Sequence, residues 1–188
     1  MKSKLKTIFI ILFIGILTNL QAEVLVFETY QDFTNKKATK YDEFRGFMHV
    51  SGNFKLLIRH NNKKESVKLK KIWGFTVKDA LFRVGTKKYH PVRVIKVGEF
   101  VYYENGFAHA KISDNDSESA SFQWGYFTYI SKSINSEIIP IHYLGPFKKF
   151  GREHPPAKEF VDCVRKGREY YETNIRFCLR KTGFLEEE

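Results

Sequence analysis

A chain of 188 residues that is 43% hydrophobic and 28% charged has the length of one domain and the composition of a globular one, which excludes a low-complexity or disordered class. Aromatic residues make up 16% of it, a density suited to strands and a β-rich core. The formal net charge is +11, and a basic balance of that size suits polyanions: phosphate-rich lipid, acidic polysaccharide or nucleic acid. The competing explanation is a lysine coat that keeps an aromatic β-protein soluble and its sheet edges unpaired.

Residues 1–22 open with Lys2, Lys4 and Lys6, continue with an apolar run from Ile8 to Leu17, and end on the small residue Ala22. This is the layout of a secretory signal peptide with cleavage after Ala22, and the apolar run is short for a transmembrane helix. No cysteine lies near the cut, so a lipoprotein is not expected. The leader is set aside from the fold, which leaves a β-rich segment over 23–155 and a helical segment over 156–188.

Val24 to Phe27 is a short strand. Thr29 and Asp32 are spaced as a capping box, so Tyr30 to Lys36 is expected to form one or two helical turns. Ala38 to Phe44 shows no clear period. Strands are expected over Met48 to Ser51, Phe54 to Arg59 and Ser66 to Lys70, with turns at Gly52-Asn53 and at His60 to Lys63. In the last of these strands Val67 and Leu69 point one way while Lys68 and Lys70 form a solvated face.

The organising stretch is Ile72 to Gly106. Four runs of β-branched and aromatic residues are separated by Lys78-Asp79, Gly85 to Lys88 and Gly98-Glu99, which reads as a meander of two hairpins. Trp73, Phe75 and Val77 are expected on one face. Asn105-Gly106 predicts a tight turn into a strand over Phe107 to Ile112. Ser113 to Ser119 is a polar, acidic loop. Phe122 to Ile130 has the clearest alternation in the chain, with Phe122, Trp124, Tyr126, Thr128 and Ile130 on one face. Glu137 to Tyr143 is a further strand, pushed to a sheet edge by Pro140. Gly145-Pro146, Gly151 and Pro155-Pro156 read as a loop. From Phe160 to Leu179 apolar residues recur at helical spacing, and Gly183 is placed to end that helix.

The only cysteines are Cys163 and Cys178. One unbroken helix would hold them roughly 22 Å apart, too far for a disulfide. A break between Gly167 and Glu172 would fold two helices antiparallel and bring the thiols together. The continuous apolar face favours one helix, and an oxidising destination favours the bond.

No G-x-S-x-G, H-E-x-x-H or C-x-x-C pattern and no phosphate-cradling glycine loop occurs. The histidines are scattered singly. Asp114, Asp116 and Glu118 resemble the opening of a calcium loop, yet Ser119 and Gly125 stand where the loop needs its glycine and closing glutamate, so no metal or cofactor is expected. The remaining candidate is an aromatic platform. Trp73, Phe75, Trp124, Tyr126 and Tyr129 on neighbouring strands offer ring faces for sugar rings or bases, with lysines to recruit anionic ones. The alternative is that these rings are core beneath the C-terminal helix.

The spacing Trp73-Gly74-Phe75, Leu81-Phe82-Arg83, Val101-Tyr102-Tyr103 resembles small exported proteins of Bacteroidota-type bacteria that have a W-G-[FY] meander and a charged helical C-terminus. The resemblance covers residues 50–180 by pattern and implies an envelope setting without any specified activity. The expectation is therefore an α+β protein, a mostly antiparallel meander sheet with barrel-like curling left open and C-terminal helices on one face. It would be exported to the periplasm or beyond as a binding module for an anionic glycan, an envelope lipid or another envelope protein. Nucleic acid is not an expected partner, and membrane contact is expected only through the leader. The alternative is an exported hydrolase assembled from scattered His and Asp/Glu.

Overall fold

A computed structural model of the chain describes residues 23–50, 52–85, 90–106, 128–167 and 171–186, with side chains from 175 onward in the last range. The architecture is α+β. Among the described residues one antiparallel sheet has eight strands and a second has three.

β1 (Val24–Phe27) is followed by α1 (Tyr30–Thr34), whose Thr29/Asp32 capping box closes in both directions. β2 (Thr39–Tyr41) and β3 (Glu43–Val50) occupy the stretch without a clear period, so the strands begin earlier than the alternation indicates. A bulge between Phe44 and Gly46 breaks that alternation, because the extra residue shifts every following side chain by one face. β4 (Asn53–His60) and β5 (Lys63–Lys68) complete the small sheet, and a 3-10 turn over Leu69–Lys71 leads into the meander β6 (Gly74–Val77), β7 (Ala80–Val84), β8 (Pro91–Val97) and β9 (Val101–Asn105). β10 (Thr128–Ser131) and the two-residue strand β11 (Ile139–Pro140) follow. Among the described strands the large sheet runs β11-β10-β9-β8-β7-β6-β1-β2 and the small one β3-β4-β5, which puts β11 and β2 at the ends of the large sheet.

The registers decide which residues share a face. Phe75 pairs with Phe82, Phe82 with Arg93, Arg93 with Glu104, and Glu104 with Thr128, so these form one row on one face. At one end of this face Val24, Val26, Phe75, Val77, Phe82 and Val84 pack against Phe44, Leu56 and Ile58 of the small sheet. At the other end Phe100, Tyr102, Ile130 and Ile141 pack against the C-terminal helices. Two covers, one of strands and one of helices, thus bury a single sheet face. The opposite face carries a smaller cluster of Val92, Val101, Tyr103 and Tyr129, with Ile134 and Ile138 laid over it.

Three helices follow β11: α2 (Leu144–Glu153), α3 (Lys158–Lys166) and α4 (Tyr171–Lys181). α2 corrects the loop expected around Gly145-Pro146 and Gly151, and the helical part begins at residue 144 rather than at 156. Pro146 lies in the first turn, where no amide hydrogen is needed by the helix. Gly151 lets α3 approach, since a Cβ there would stand 2.8 Å from the Val161 side chain. The break between α3 and α4 decides between the two arrangements open to the cysteines: Cys163 and Cys178 are bonded, with their Cα atoms 5.7 Å apart. Gly183, at φ 71°, ends α4 as expected, and Phe184 turns back to stack on Phe100 at 4.0 Å. A second tie holds α4 to the sheet. Arg176 donates to both oxygens of the nearly buried Glu104 on β9, at 2.9 and 3.1 Å, and the Tyr102 hydroxyl donates to the same carboxylate. No helix among the described residues is long and apolar enough to cross a membrane.

Candidate functional site

The aromatic platform does not assemble among its described members. Phe75 is fully buried, stacked on Phe82 at 4.9 Å beneath the small sheet. Trp73 stands just before β6, in a bend, and turns to the opposite side. Its ring stacks on Phe33 at 4.7 Å, and the Arg83 guanidinium lies 4.9 Å from the ring centre. Arg83 follows Phe82 in β7 and so points to the other face, which separates Trp73 from Phe75. Tyr129 is 5% exposed on that other face, its hydroxyl 3.0 Å from His90 Nε2, and burial pushes its pKa up. Trp124, Tyr126, Asp114, Asp116 and Glu118 lie outside the described residues, as do the strand expected over Phe107 to Ile112 and most of Phe122 to Ile130.

The scattered histidines stay apart where they are described. His49 stacks on Phe54, His60 meets Tyr41 edge-on, His90 faces Tyr129, His142 lies on Tyr143, and His154 Nε2 sits 2.7 Å from the Glu99 carbonyl. Among the described residues no group of three His, Cys, Asp or Glu is placed to hold a metal.

Arg83 is a feature that periodicity did not single out. It is 4% exposed, and burial pulls its pKa below the ordinary guanidinium value, with Tyr103 partly opposing that shift. It donates to the carbonyls of Ile134 and Ser136, and Trp73 Nε1 donates to Asn135 at 2.9 Å. Tyr103 Oη and Ser131 Oγ are 2.7 Å apart, and Ser131 Oγ also donates to the Ser133 carbonyl. Together these bonds fasten the segment 132–138 over the sheet. The available signal was a lone arginine between Phe82 and Val84 in an otherwise apolar strand. Arg83→Lys keeps the charge but loses the planar fork, and it is expected to destabilise the protein by about 1–3 kcal/mol. Hydrogen exchange should then speed up over 132–138 and leave β4 unchanged. Equal exchange in both proteins would show that Arg83 does not hold this segment.

Like charges face one another on the outward face of the small sheet. Leu56 and Ile58 point into the core, so Lys55, Leu57 and Arg59 point out. The register sets Lys55 directly opposite Lys68 and Arg59 opposite Lys64. Like charges facing each other across an antiparallel pair oppose the pairing. Arg59 is offset by Glu43, 3.0 Å away across β3. Lys55, Lys63, Lys64, Lys68, Lys70 and Lys71 have no carboxylate at ion-pair distance among the described residues. From Asn53 to Lys71 the only acid is Glu65. Much of the excess charge is therefore concentrated on two strands and one turn. The sequence marks Lys68 as solvated, but only the register reveals that it stands opposite Lys55. Compared with family models, curated proteins and solved structures, the chain matches none of them.

Proposed function

We propose that this chain is an exported protein of a bacterial envelope that acts by binding, and that the outward face of the β3-β4-β5 sheet meets an anionic component of that envelope. The observation that carries the reading is the facing pair Lys55 and Lys68 on a face whose lysines have no carboxylate at ion-pair distance among the described residues. Two cations held directly opposite one another weaken the hairpin, and an anion bridging them removes that repulsion. A lysine coat serving solubility alone has no need to place its charges in register. Export is supported by the leader-like residues 1–22 and by a disulfide that reducing compartments disfavour. The W-G-[FY] meander, similar to those of small exported Bacteroidota-type proteins, points the same way.

The test is the double variant Lys55→Gln/Lys68→Gln, compared with the parent protein on an immobilised soluble polyanion such as heparin. The parent recovered from the envelope fraction is expected to have an intact mass that begins at Glu23. The variant is expected to elute at clearly lower salt while its Tm stays level or rises slightly, because a repulsion has been removed. Equal elution of the two proteins would reject the basic face as the binding surface, and a full-length mass would reject cleavage after Ala22.

A further inference from the structure

The outward face of the small sheet is apolar as well as basic. Val50, at the end of β3, is 44% exposed, and Met48 and Leu57 on the same face are half-buried. The register sets Met48, Lys55 and Lys68 in one row, and Leu57 lies in the next row between Gly46 and Ser66. Val50 belongs to the row beyond Met48, at the turn where Gly52 takes φ 75°. Short apolar side chains thus run towards the β3-β4 turn, with Lys55, Lys64 and Lys68 beside them.

Resting on the reading above, we infer that the anionic partner is a lipid bilayer surface, met by this sheet face with its Val50 end entering the headgroup layer. Three observations favour lipid over a soluble glycan chain. The face holds aliphatic side chains where a sugar binder needs ring faces; of the described aromatic candidates Phe75 and Tyr129 are buried, and the half-buried Trp73 ring is engaged by Phe33 and Arg83. Arg59 on this face is held by Glu43, and its remaining cations are lysines, point charges on flexible stems that suit mobile phosphate headgroups, whereas fixed bidentate recognition calls for arginine. The exposed valine gains nothing from a hydrated polysaccharide, but it gains from leaving water at the acyl boundary. Lysine stems lying along the sheet let ammonium groups reach the phosphates while Val50 and Met48 descend. This contact is separate from any made by residues 1–22.

Flotation with phosphatidylglycerol/phosphatidylcholine vesicles, beside heparin retention, separates the possibilities. The comparison uses the protein recovered from the envelope fraction and its variants, all with the same N-terminus. The parent is expected to float with anionic vesicles and to stay behind with pure phosphatidylcholine. Lys55→Gln/Lys68→Gln is expected to weaken vesicle binding by roughly 30-fold, about fivefold for each charge removed. Val50→Ser is expected to lower vesicle binding several-fold and leave heparin retention unchanged. Val50→Trp is expected to bind at least as tightly and to show a blue shift of the added tryptophan emission on anionic vesicles. Heparin retention without flotation, or a Val50→Ser protein that floats like the parent with no blue shift in Val50→Trp, would overturn the lipid assignment and leave the basic-face reading intact. Loss of neither activity in the double lysine variant would overturn both.

Discussion

Phe75→Ala is expected to destabilise the protein by about 3–5 kcal/mol, the range for deleting a large aromatic side chain from a dry core. Phe75 has no exposed surface, stacks on Phe82 and meets Phe47 edge-on at 6.0 Å, so its ring joins the two sheets. Truncation leaves a cavity walled by core side chains of both sheets, and side chains anchored on paired strands relax little into empty space. In a chain of this size the loss corresponds to a fall in Tm of roughly 10 °C or more. Urea denaturation monitored by circular dichroism measures the effect. The folded variant should still be retained on heparin like the parent, because the lysine face lies on the other side of the small sheet. A loss below about 1 kcal/mol would show that the contact between the sheets is loose, and lost retention at full stability would return Phe75 to the list of ligand contacts.

Reducing the Cys163–Cys178 bond is the second large effect. The bond closes a loop of 15 residues, for which the chain-entropy estimate is about 3 kcal/mol. Cys178 is fully buried among Phe160, Val164 and Ile175, so the thiols remain packed after reduction and most of the change falls on the unfolded chain. Tm of the reduced protein is expected to be roughly 6–12 °C below that of the oxidised one. Reduction keeps both side chains and avoids placing a serine hydroxyl in the core, which would add a separate cost. Identical melting of the two forms would show that packing of α3 on α4 and the Arg176–Glu104 tie hold the hairpin without the bond.

These two sites mark where pattern reading succeeded and where it stopped. The capping box at Thr29, the meander from β6 to β9, the edge position of Pro140 and the glycine stop at Gly183 all rest on local signals and were legible. α2 was not. Gly145, Pro146 and Gly151 are loop residues by composition, and their helical places depend on a first-turn exemption and on the close approach of Val161. Trp73 was placed with Phe75 by alternation, although alternation applies only inside a strand and Trp73 stands one residue before β6. The bulge between Phe44 and Gly46 masks β3 in the same way, because it shifts the period of two within the strand.

The sequence by itself determined the α+β class, the antiparallel meander, the basic balance and the pair of cysteines that had either to bond or to lie on one helix. Each of these follows from short-range periodicity, turn chemistry or counting. Only the tertiary structure decided between the bond and the helix, buried Phe75 and Tyr129, fastened Arg83 to the segment 132–138, and set Lys55 opposite Lys68. Those outcomes depend on which strand lies beside which and in what register. Register is chosen by the burial of a whole face, so it belongs to no short stretch of chain.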